Sequence, residues 1–474
     1  MLQTLKNAWK TKDIRSKIIF TLFILLLYRI GTVIPVPFVD ANNFANSASF
    51  QGTIMNYMDI LSGGSLSAST LFALGVSPYI NASIILQLLA VVFPKLGDIA
   101  KNDKKKMGFI TRIVTVVLAI VTGIGYYFML LNAKDSSGNA IRVLTNAATK
   151  GEGPVYWLYG IVIVACYVAG ASVVMWLAER INEHGIGNGI SLILFANIVS
   201  SAPTFMVSLV QLIAGTFDYS NPGPYIAVSI IFAVVLLAII IGMMVFVIWV
   251  TGSERRIPVQ YAKRVVGRKM YGGQSSNLPI KLNMTGVMPV IFASSIVTLV
   301  PTILQLCGVT GKGDTGWDTF ARIMGTDGAI FPIAEFILII AFAYFYTQIS
   351  FNPTEVANNL KKQGGAVPGI RQGRPTAEYI KKILNKITLA GALFLSIVAV
   401  IPVIAGPHII SPILQWIYEG GSSYMVQNAE AYANSLSSVF TFGGTSLLIV
   451  VGVAIETYRE LEAQLTMRSY KGFL

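Results

Sequence analysis

Two nine-residue segments of this chain repeat each other, Gly75-Val-Ser-Pro-Tyr-Ile-Asn-Ala-Ser83 and Gly286-Val-Met-Pro-Val-Ile-Phe-Ala-Ser294. Six of the nine positions agree, and each segment opens an apolar run long enough to be a membrane span. The proline at the fourth position, Pro78 or Pro289, lacks a backbone N–H, which favours a helix start or a kink at that point. The repeat therefore predicts two equivalent helices in two related halves of the chain.

The apolar runs on either side of these segments indicate a polytopic membrane protein. The chain has 474 residues, of which 54% are hydrophobic and 12% are charged, about half the charged fraction of a typical soluble domain. Runs of roughly the 17–25 residues that a span needs occur at ten places, the fifth of them short: near 18–34, 71–93, 109–131, 154–178, 186–202, 225–250, 285–306, 331–350, 385–405 and 438–455. The first run is too long for the apolar part of a signal peptide and lacks a cleavage site, so we expect it to be retained as a span.

Lysine and arginine alternate between the segments that connect these runs. The odd-numbered connections carry 29 of the 35 basic residues and the even-numbered connections carry 5; the odd ones are 1–17, 94–112, 177–185, 251–284, 351–386 and the tail after 455. Because basic loops stay on the cytoplasmic side of the membrane, this alternation predicts ten spans with both termini cytoplasmic. It also accounts for the net charge of +13, so no free nucleic acid is expected as a ligand.

The repeated segments lie in the second and the seventh of the ten runs, which cross the membrane in opposite directions. This placement predicts an inverted repeat. The predicted fold class is an all-α polytopic membrane protein with ten transmembrane helices in two inverted-repeat halves of five. The predicted regions are a cytoplasmic N-terminus (1–17), an N-terminal half (18–202), an external loop (203–224), a C-terminal half (225–455) and a cytoplasmic tail (456–474).

A short apolar segment at 54–66 precedes the second span and is too short to cross the membrane. It is interrupted by Ser62-Gly-Gly-Ser65, and irregular backbone at membrane depth is tolerated where protein or water satisfies its polar groups. Two interpretations stay open at this point. The segment is either a re-entrant half-helix beside an aqueous or protein-lined cavity, or an interfacial helix on the outer face.

The spans lack the groups that chemistry at membrane depth requires. Arg29 and Glu335 lie near span ends, where we expect their side chains to reach the interface, and both histidines fall in loops. Proton pumps need buried ionisable groups and an intramembrane serine protease needs a Ser–His or Ser–Lys pair, and neither pattern is visible. Gly308–Lys312 fails the phosphate-loop pattern, and Gly185-Ile-Gly-Asn-Gly189 follows no predicted strand, which argues against a dinucleotide site. We therefore expect no enzyme activity, no metal and no cofactor, with any transport driven by a partner or a gradient.

Five motifs closely resemble the SecY/Sec61-alpha family and favour its bacterial branch. They are GVSPYINASIILQ at 75–87, GIGNGISLILF at 185–195, NMTGVMPVIFASS at 283–295, PGIRQGRPT at 368–376 and FGGTSLLIV at 442–450. The resemblance extends from the first span to the last. It implies the central pore subunit of a channel in the bacterial cytoplasmic membrane, which passes unfolded secretory polypeptides across and releases membrane-protein segments sideways through a lateral gate.

The resemblance also implies an hourglass pore between two halves that open like a clamshell. Its waist is a ring of aliphatic side chains, which the motifs place at Val76, Ile80, Leu194, Ile291 and Ile449. An apolar collar of this kind dewets and excludes ions. The half-helix is then a plug of the outer funnel, formed by Ile54, Met55, Tyr57, Met58, Ile60, Leu61, Gly63 and Gly64. The alternative for the ring residues is that they only pack neighbouring helices together.

The second and seventh spans resemble the lateral gate of the family. The matching gate-lining positions are Ile84, Gln87, Asn188, Ser294 and Thr445. Because buried polar side chains seek partners in a membrane, we expect a mutual hydrogen bond to hold the gate shut until a signal sequence displaces it. The alternative is that these polar residues each join one helix to its neighbour.

Two long basic loops, 251–284 and 351–386, resemble the docking loops of the family. Topology and contact with anionic lipid explain their charge, but not their length or their glycine-rich turns. The expected docking residues are Arg255, Arg256, Lys263, Arg264, Arg371 and Arg374. The partners implied by the resemblance are the SecE and SecG subunits, the SecA motor ATPase, the ribosome, signal-sequence-bearing polypeptides and membrane lipid.

Two functions other than a channel also fit part of the pattern. A secondary solute transporter shares inverted repeats and a broken helix, but it should place a polar substrate site at mid-depth and it needs no large cytosolic loops. A membrane insertase or scaffold without a pore would have no use for a plug-like half-helix.

Overall fold

The computed structural model of the protein describes residues 2–45, 54–133, 143–144, 156–215, 225–261, 264–266, 269–271, 275–307, 309, 316–325, 328, 330–419 and 443–471. Over these ranges the chain is a bundle of helices with five short strands. The helices are α1 (Leu2–Lys10), α2 (Lys12–Gly31), α3 (Ala41–Ala45), α4 (Ile54–Ser62), α5 (Ser77–Val92), α6 (Pro94–Asn102), α7 (Lys104–Leu131), α8 (Tyr156–His184), α9 (Gly189–Gly215), α10 (Tyr225–Gly252), α11 (Met288–Leu306), α12 (Gly316–Met324), α13 (Ile330–Ser350), α14 (Pro353–Lys362), α15 (Arg374–Ala405), α16 (Ser411–Glu419) and α17 (Gly443–Lys471). A single π-helical turn, Gly406–Ile410, joins α15 to α16.

Within the described residues, each of the ten predicted apolar runs overlaps one helix, namely α2, α5, α7, α8, α9, α10, α11, α13, α15 and α17 in that order. Of the helices that the structure describes, six are long and apolar enough to cross a bilayer. The pair Ser77–Val92 and Pro94–Ala100, bent by 120°, adds a seventh if it is one span, and Gly189–Pro203 is a shorter apolar helix. The chain is therefore built as a multi-pass membrane protein, while the count of ten spans stays a prediction.

The two repeated segments have the same backbone conformation. Gly75 and Gly286 both have positive φ, at 53° and 64°, a region that glycine occupies without strain. The next residues, Val76 and Val287, precede the helix with φ/ψ of −89°/−4° and −92°/−4°, and each helix carries a proline in its first two positions. The predicted equivalence of α5 and α11 is confirmed at the level of these backbone angles.

A second pair of contacts repeats between the halves. A Cβ atom on Gly170 of α8 would lie 1.8 Å from the carbonyl oxygen of Leu71, just before α5, and a Cβ on Gly391 of α15 would lie 2.4 Å from that of Leu282, just before α11. Because neither glycine has a Cβ atom, the backbone carbonyl of the other segment can lie directly against the helix. The segment that leads into each repeated helix is seated in the same way, as an inverted repeat requires.

The first and last helices pack on each other at the ends that are predicted to be cytosolic. Thr4 Oγ1 lies 3.0 Å from Tyr458 Oη, and Lys17 Nζ donates to Gln464 Oε1 at 3.2 Å. Four buried apolar side chains complete the contact: Ala8, Ile14, Ile186 and Leu461. Elements α1 and α2 are thus joined directly to α17.

The two long basic loops form one small packed unit rather than two separate arms. Strands β1 (Glu254–Tyr261) and β4 (Ser275–Lys281) pair antiparallel, and β5 (Gly365–Ala366) from the other loop pairs with β1; β2 (Arg264–Val266) and β3 (Lys269–Tyr271) form a separate hairpin. A buried apolar cluster lies beneath the strands and comprises Ile257, Ile280, Val367, Ile383 and Leu384.

Three sequence interpretations are settled by this architecture. Glu335 does not reach an interface, because its side chain is 1% exposed. Arg29 points inward and donates hydrogen bonds to other segments. In the glycine motif, Cβ atoms on Gly185 and Gly189 would lie 2.6 Å from Thr21 Oγ1 and 2.0 Å from Ala178 O, so these glycines permit close packing at the α8–α9 turn.

Candidate pore, plug and gate

The five predicted ring residues converge from four helices on one place. Val76 and Ile80 come from the start of α5, and the others come from α9, α11 and α17: Leu194, Ile291 and Ile449. All five are between 1% and 5% exposed and belong to one contiguous buried cluster, together with Ile84. An aliphatic constriction between the two halves is the chemical arrangement that excludes ions and lacks fixed hydrogen-bonding demands.

A cavity of about 200 Å³ lies against these five side chains. The half-helix α4 contributes Met55, Met58 and Leu61 to its wall. The rest comes from the segment between α4 and α5, from α5, α7 and α11, and from single residues of α9 and α17. The lining is mostly apolar, with small hydroxyl side chains such as Ser294 and Thr298 on α11. The space is therefore bounded by the ring, by the half-helix and by the two repeated helices.

Between the two interpretations of segment 54–66, the structure favours a half-helix inside the bundle. Helix α4 ends at Ser62, followed by Gly63 and Gly64 with φ of 69° and 84°. Met55 is 2% exposed, and Leu61 packs against an apolar cluster on α11, α13 and α15. The predicted plug residues Ile54, Tyr57 and Ile60 lie on the same short helix.

Gln87, a predicted gate residue, bonds to a residue that sequence analysis missed. Its Nε2 donates to Ser83 Oγ at 2.9 Å, and its Oε1 accepts a short hydrogen bond from Tyr346 Oη of α13. Tyr346 also packs against Phe292 of α11, with ring centroids 5.1 Å apart. The expected bond among the gate residues is corrected on this point, because Gln87 connects α5 to α13. A tyrosine within an otherwise apolar helix face was the only signal for Tyr346.

Asn188, a predicted gate-lining residue, makes a hydrogen bond at the start of its own helix. It lies at the turn before α9, and its Oδ1 accepts a hydrogen bond from Ile190 N at 3.1 Å. The adjacent Gly187 approaches α17, since a Cβ there would lie 3.1 Å from Thr457 Oγ1. In this structure Asn188 therefore acts as a cap of its own helix, which is typical of asparagine at a helix start.

The remaining gate residues are buried where the two halves meet. Ile84 is 3% exposed and shares the buried cluster with Ile291. Ser294 Oγ donates to Ile291 O at 3.0 Å, within its own helix. Thr445 is 2% exposed in the first turn of α17. Ile84 and Ser294 are thus buried side chains of α5 and α11, the two repeated helices, which pack against each other.

Four of the six predicted docking residues lie on the packed unit of the two basic loops: Arg255, Arg256, Arg371 and Arg374. Arg255 and Arg256 lie on β1 opposite Ile280 and Pro279 of β4, and both are exposed. Arg371 is exposed in the turn before α15. Two of the arginines form exposed ion pairs, Arg256 with Glu254 and Arg374 with Glu378, at 2.7 and 3.0 Å. Lys263 lies outside the described residues, and Arg264 belongs to β2.

The pKa of Lys281, at the end of β4, is lowered by burial and by the neighbouring charge of Arg459.

Over the described ranges, no group of three or more His, Cys, Asp or Glu side chains is arranged to hold a metal ion.

The chain is similar to known protein-translocation channels over its whole length. A family model described as SecY matches residues 70–458. The protein translocase subunit SecY of Streptomyces galbus is 40% identical over 485 residues, covering 100% of both chains. A solved SecY structure concerned with the plug domain that stabilises the closed channel aligns with a TM-score of 0.59 at 16% identity, over 95% of this chain and 92% of that one. Sec61 in a canine ribosome–channel complex aligns with a TM-score of 0.54 at 16% identity, over the same shares.

Proposed function

The chain belongs to the SecY family of protein translocase subunits, and we propose that it is the central pore subunit of the channel that exports unfolded polypeptides across the bacterial cytoplasmic membrane. The observation that supports this proposal is that five aliphatic side chains from both halves meet in one buried cluster beside the half-helix α4, and we assign that cluster as the pore ring. A secretory chain would pass where that ring now closes.

The ring explains how one constriction can seal and still accept any sequence. Aliphatic side chains give an ion no stable hydration, so a narrow collar of them stays dry. They also have no hydrogen-bond geometry to satisfy, so they can withdraw around a passing side chain without leaving an unpaired polar group. Val76, Ile80, Leu194, Ile291 and Ile449 meet both requirements.

The half-helix and the two repeated helices supply the plug and the lateral gate of this proposal. Helix α4 lines part of the cavity beside the ring residues, so its displacement would open a route away from the ring. Helices α5 and α11 pack together beside it. Their separation would open the bundle toward lipid, which supports sideways release of apolar segments.

The orientation and partners follow from the basic loops. The imbalance of 29 basic residues to 5 supports a cytoplasmic location for the termini and the docking unit, because basic loops stay on the cytoplasmic side of a membrane. The exposed arginines of this unit are suited to ribosomal RNA phosphates and to acidic protein surfaces. SecA and the ribosome are the proposed cytosolic partners, with SecE and SecG as companion subunits in the membrane.

Reconstitution tests the function directly. The purified chain, assembled with SecE and SecG in lipid vesicles, should make a signal-bearing polypeptide protease-protected when SecA and ATP are added. The matched control is the same polypeptide with its signal deleted, which should stay accessible. Accumulation of a small solute without any protected polypeptide would instead establish the transporter alternative.

A further inference from the structure

The end of the half-helix is held by a buried asparagine of α9. Asn197 is 0% exposed, and its Nδ2 donates to Leu61 O and to Tyr28 Oη, both at 2.9 Å. Tyr28 is itself 0% exposed and stacks on Phe72, with ring centroids 5.5 Å apart. Because a buried carbonyl that loses its donor is costly, this amide favours the position of α4 seen here.

An arginine of α2 lies at the same end of the half-helix. Arg29 Nη2 donates to Ala196 O at 3.0 Å, and Nη1 makes a longer contact of 3.5 Å with Gly63 O. The last carbonyls of a helix lack intrahelical donors and carry partial negative charge, so a cation is favourable there. Arg29 therefore connects the end of α4 to the helix that bears the ring residue Leu194.

The segment that follows α4 is joined to the helix by hydrogen bonds of one residue. Asp59 Oδ1 accepts hydrogen bonds from Leu66 N at 3.0 Å and Ser67 N at 2.8 Å, and Gly64 N donates to the Asp59 carbonyl oxygen at 3.0 Å. We therefore expect the end of α4 and the segment after it to move together.

The same end of α4 contacts both halves of the bundle in different ways. Its polar contacts are to α2 and α9 of the first half, whereas the Leu61 side chain packs against Val297, Phe331 and Val403 of the second half. Separation of the halves would remove the apolar contact. The polar contacts would then retain the plug on the first half.

We propose that Tyr28, Arg29 and Asn197 form a latch that holds α4 in the closed position and sets how strong an export signal must be to open the channel. The proposal rests on the proposed function, since it assigns these side chains a role in signal stringency. A signal that binds at the gate supplies a limited free energy, part of which is used to break the latch. Weakening the latch lets poor signals pass and lets ions leak between export events.

Two adjacent glycines provide the sharpest test. Gly63 and Gly64 both have positive φ, so alanine strains the backbone at either position. A Cβ on Gly63 would lie 3.0 Å from Asn197 Oδ1 and 3.1 Å from Arg29 Nη1, whereas a Cβ on Gly64 meets nothing within 4 Å. We expect Gly63→Ala, and not Gly64→Ala, to raise the resting ion conductance of the reconstituted complex and the export of a reporter with a defective signal, each by about tenfold. That change corresponds to about 1.4 kcal/mol.

Direct removal of the latch should have the same effect. Asn197→Leu keeps the side-chain size and removes both donated hydrogen bonds, and Arg29→Met removes the cation. The matched control for the latter is Arg15→Met, an exposed arginine on the same helix. Export of a reporter with an intact signal should stay within about twofold in all variants, which separates a latch from a general structural role.

The latch is refuted if Gly63→Ala matches Gly64→Ala in both readouts, or if Asn197→Leu and Arg29→Met conduct and discriminate like the parent at equal abundance. The proposed function fails separately, if the parent complex exports no polypeptide. The resting ion conductance is measured without a substrate. Its comparison between the variants and the parent therefore still tests the latch in that case.

Discussion

Replacing Ile80 and Ile291 together by serine should make the resting channel conduct ions. The two side chains are 5% and 4% exposed, and full burial of an isoleucine side chain contributes about 1.5–3 kcal/mol. The double change therefore removes up to about 6 kcal/mol from the dry, closed ring. Neighbouring side chains will relax into part of the vacated space and recover part of this free energy. We therefore expect the resting ion conductance to increase at least about tenfold, a change that needs only about 1.4 kcal/mol.

The assay is the conductance of the complex in a planar bilayer without substrate, followed by export of a reporter with a defective signal. Ile333→Ser with Ile337→Ser is the matched control, because these isoleucines of α13 are each 59% exposed and face away from the ring. A double ring variant that reaches normal abundance, stays closed to ions and still rejects defective signals would refute the assignment of the constriction.

Three further changes test other parts of the structure. Gly170→Ala should lower the Tm of the solubilised complex, with a cost of about 1–3 kcal/mol for overpacking, whereas Gly242→Ala, whose Cβ would meet nothing within 4 Å, should not lower it. Tyr346→Phe removes the hydrogen bond that Tyr346 donates to Gln87, which contributes about 1 kcal/mol. It should increase the export of defective-signal reporters about fivefold, and unchanged export would show that this bond does not hold the gate shut. Arg371→Glu should reduce SecA-driven export by roughly tenfold or more if it makes a charge-assisted contact, with resting conductance unchanged; equal export would remove Arg371 from the docking surface.

The repeated segments explain why so much of the fold could be predicted from the chain alone. Each combines a positive-φ glycine, a proline near the helix start and a long apolar run, and these local rules agree with one another. Two of the predicted ring residues, Ile80 and Ile291, occupy the same position in both copies of the repeat. Their convergence with Leu194 and Ile449 came from the motif resemblance, since nothing in local periodicity brings α9 and α17 to the same place.

The polar contacts could not be predicted because they join residues far apart in the chain. Gln87 and Tyr346 are separated by 259 positions, and Leu61 and Asn197 by 136. Single polar residues in apolar helices give no indication of their partners, so neither Tyr346 as the partner of Gln87 nor the contacts of Asn197 could be predicted. Glu335 was misjudged for a related reason, because sequence position near a span end does not reveal which side of the helix the bundle covers.

The contact of α1 and α2 with α17 has a consequence for biogenesis. During synthesis, Ala8 and Ile14 leave the ribosome first, but Leu461, which covers them in the finished bundle, is made more than four hundred residues later. A nascent chain that has not yet produced its last helix therefore leaves these apolar side chains without the cover that Leu461 provides. This part of the core is completed only when the final helix has been made.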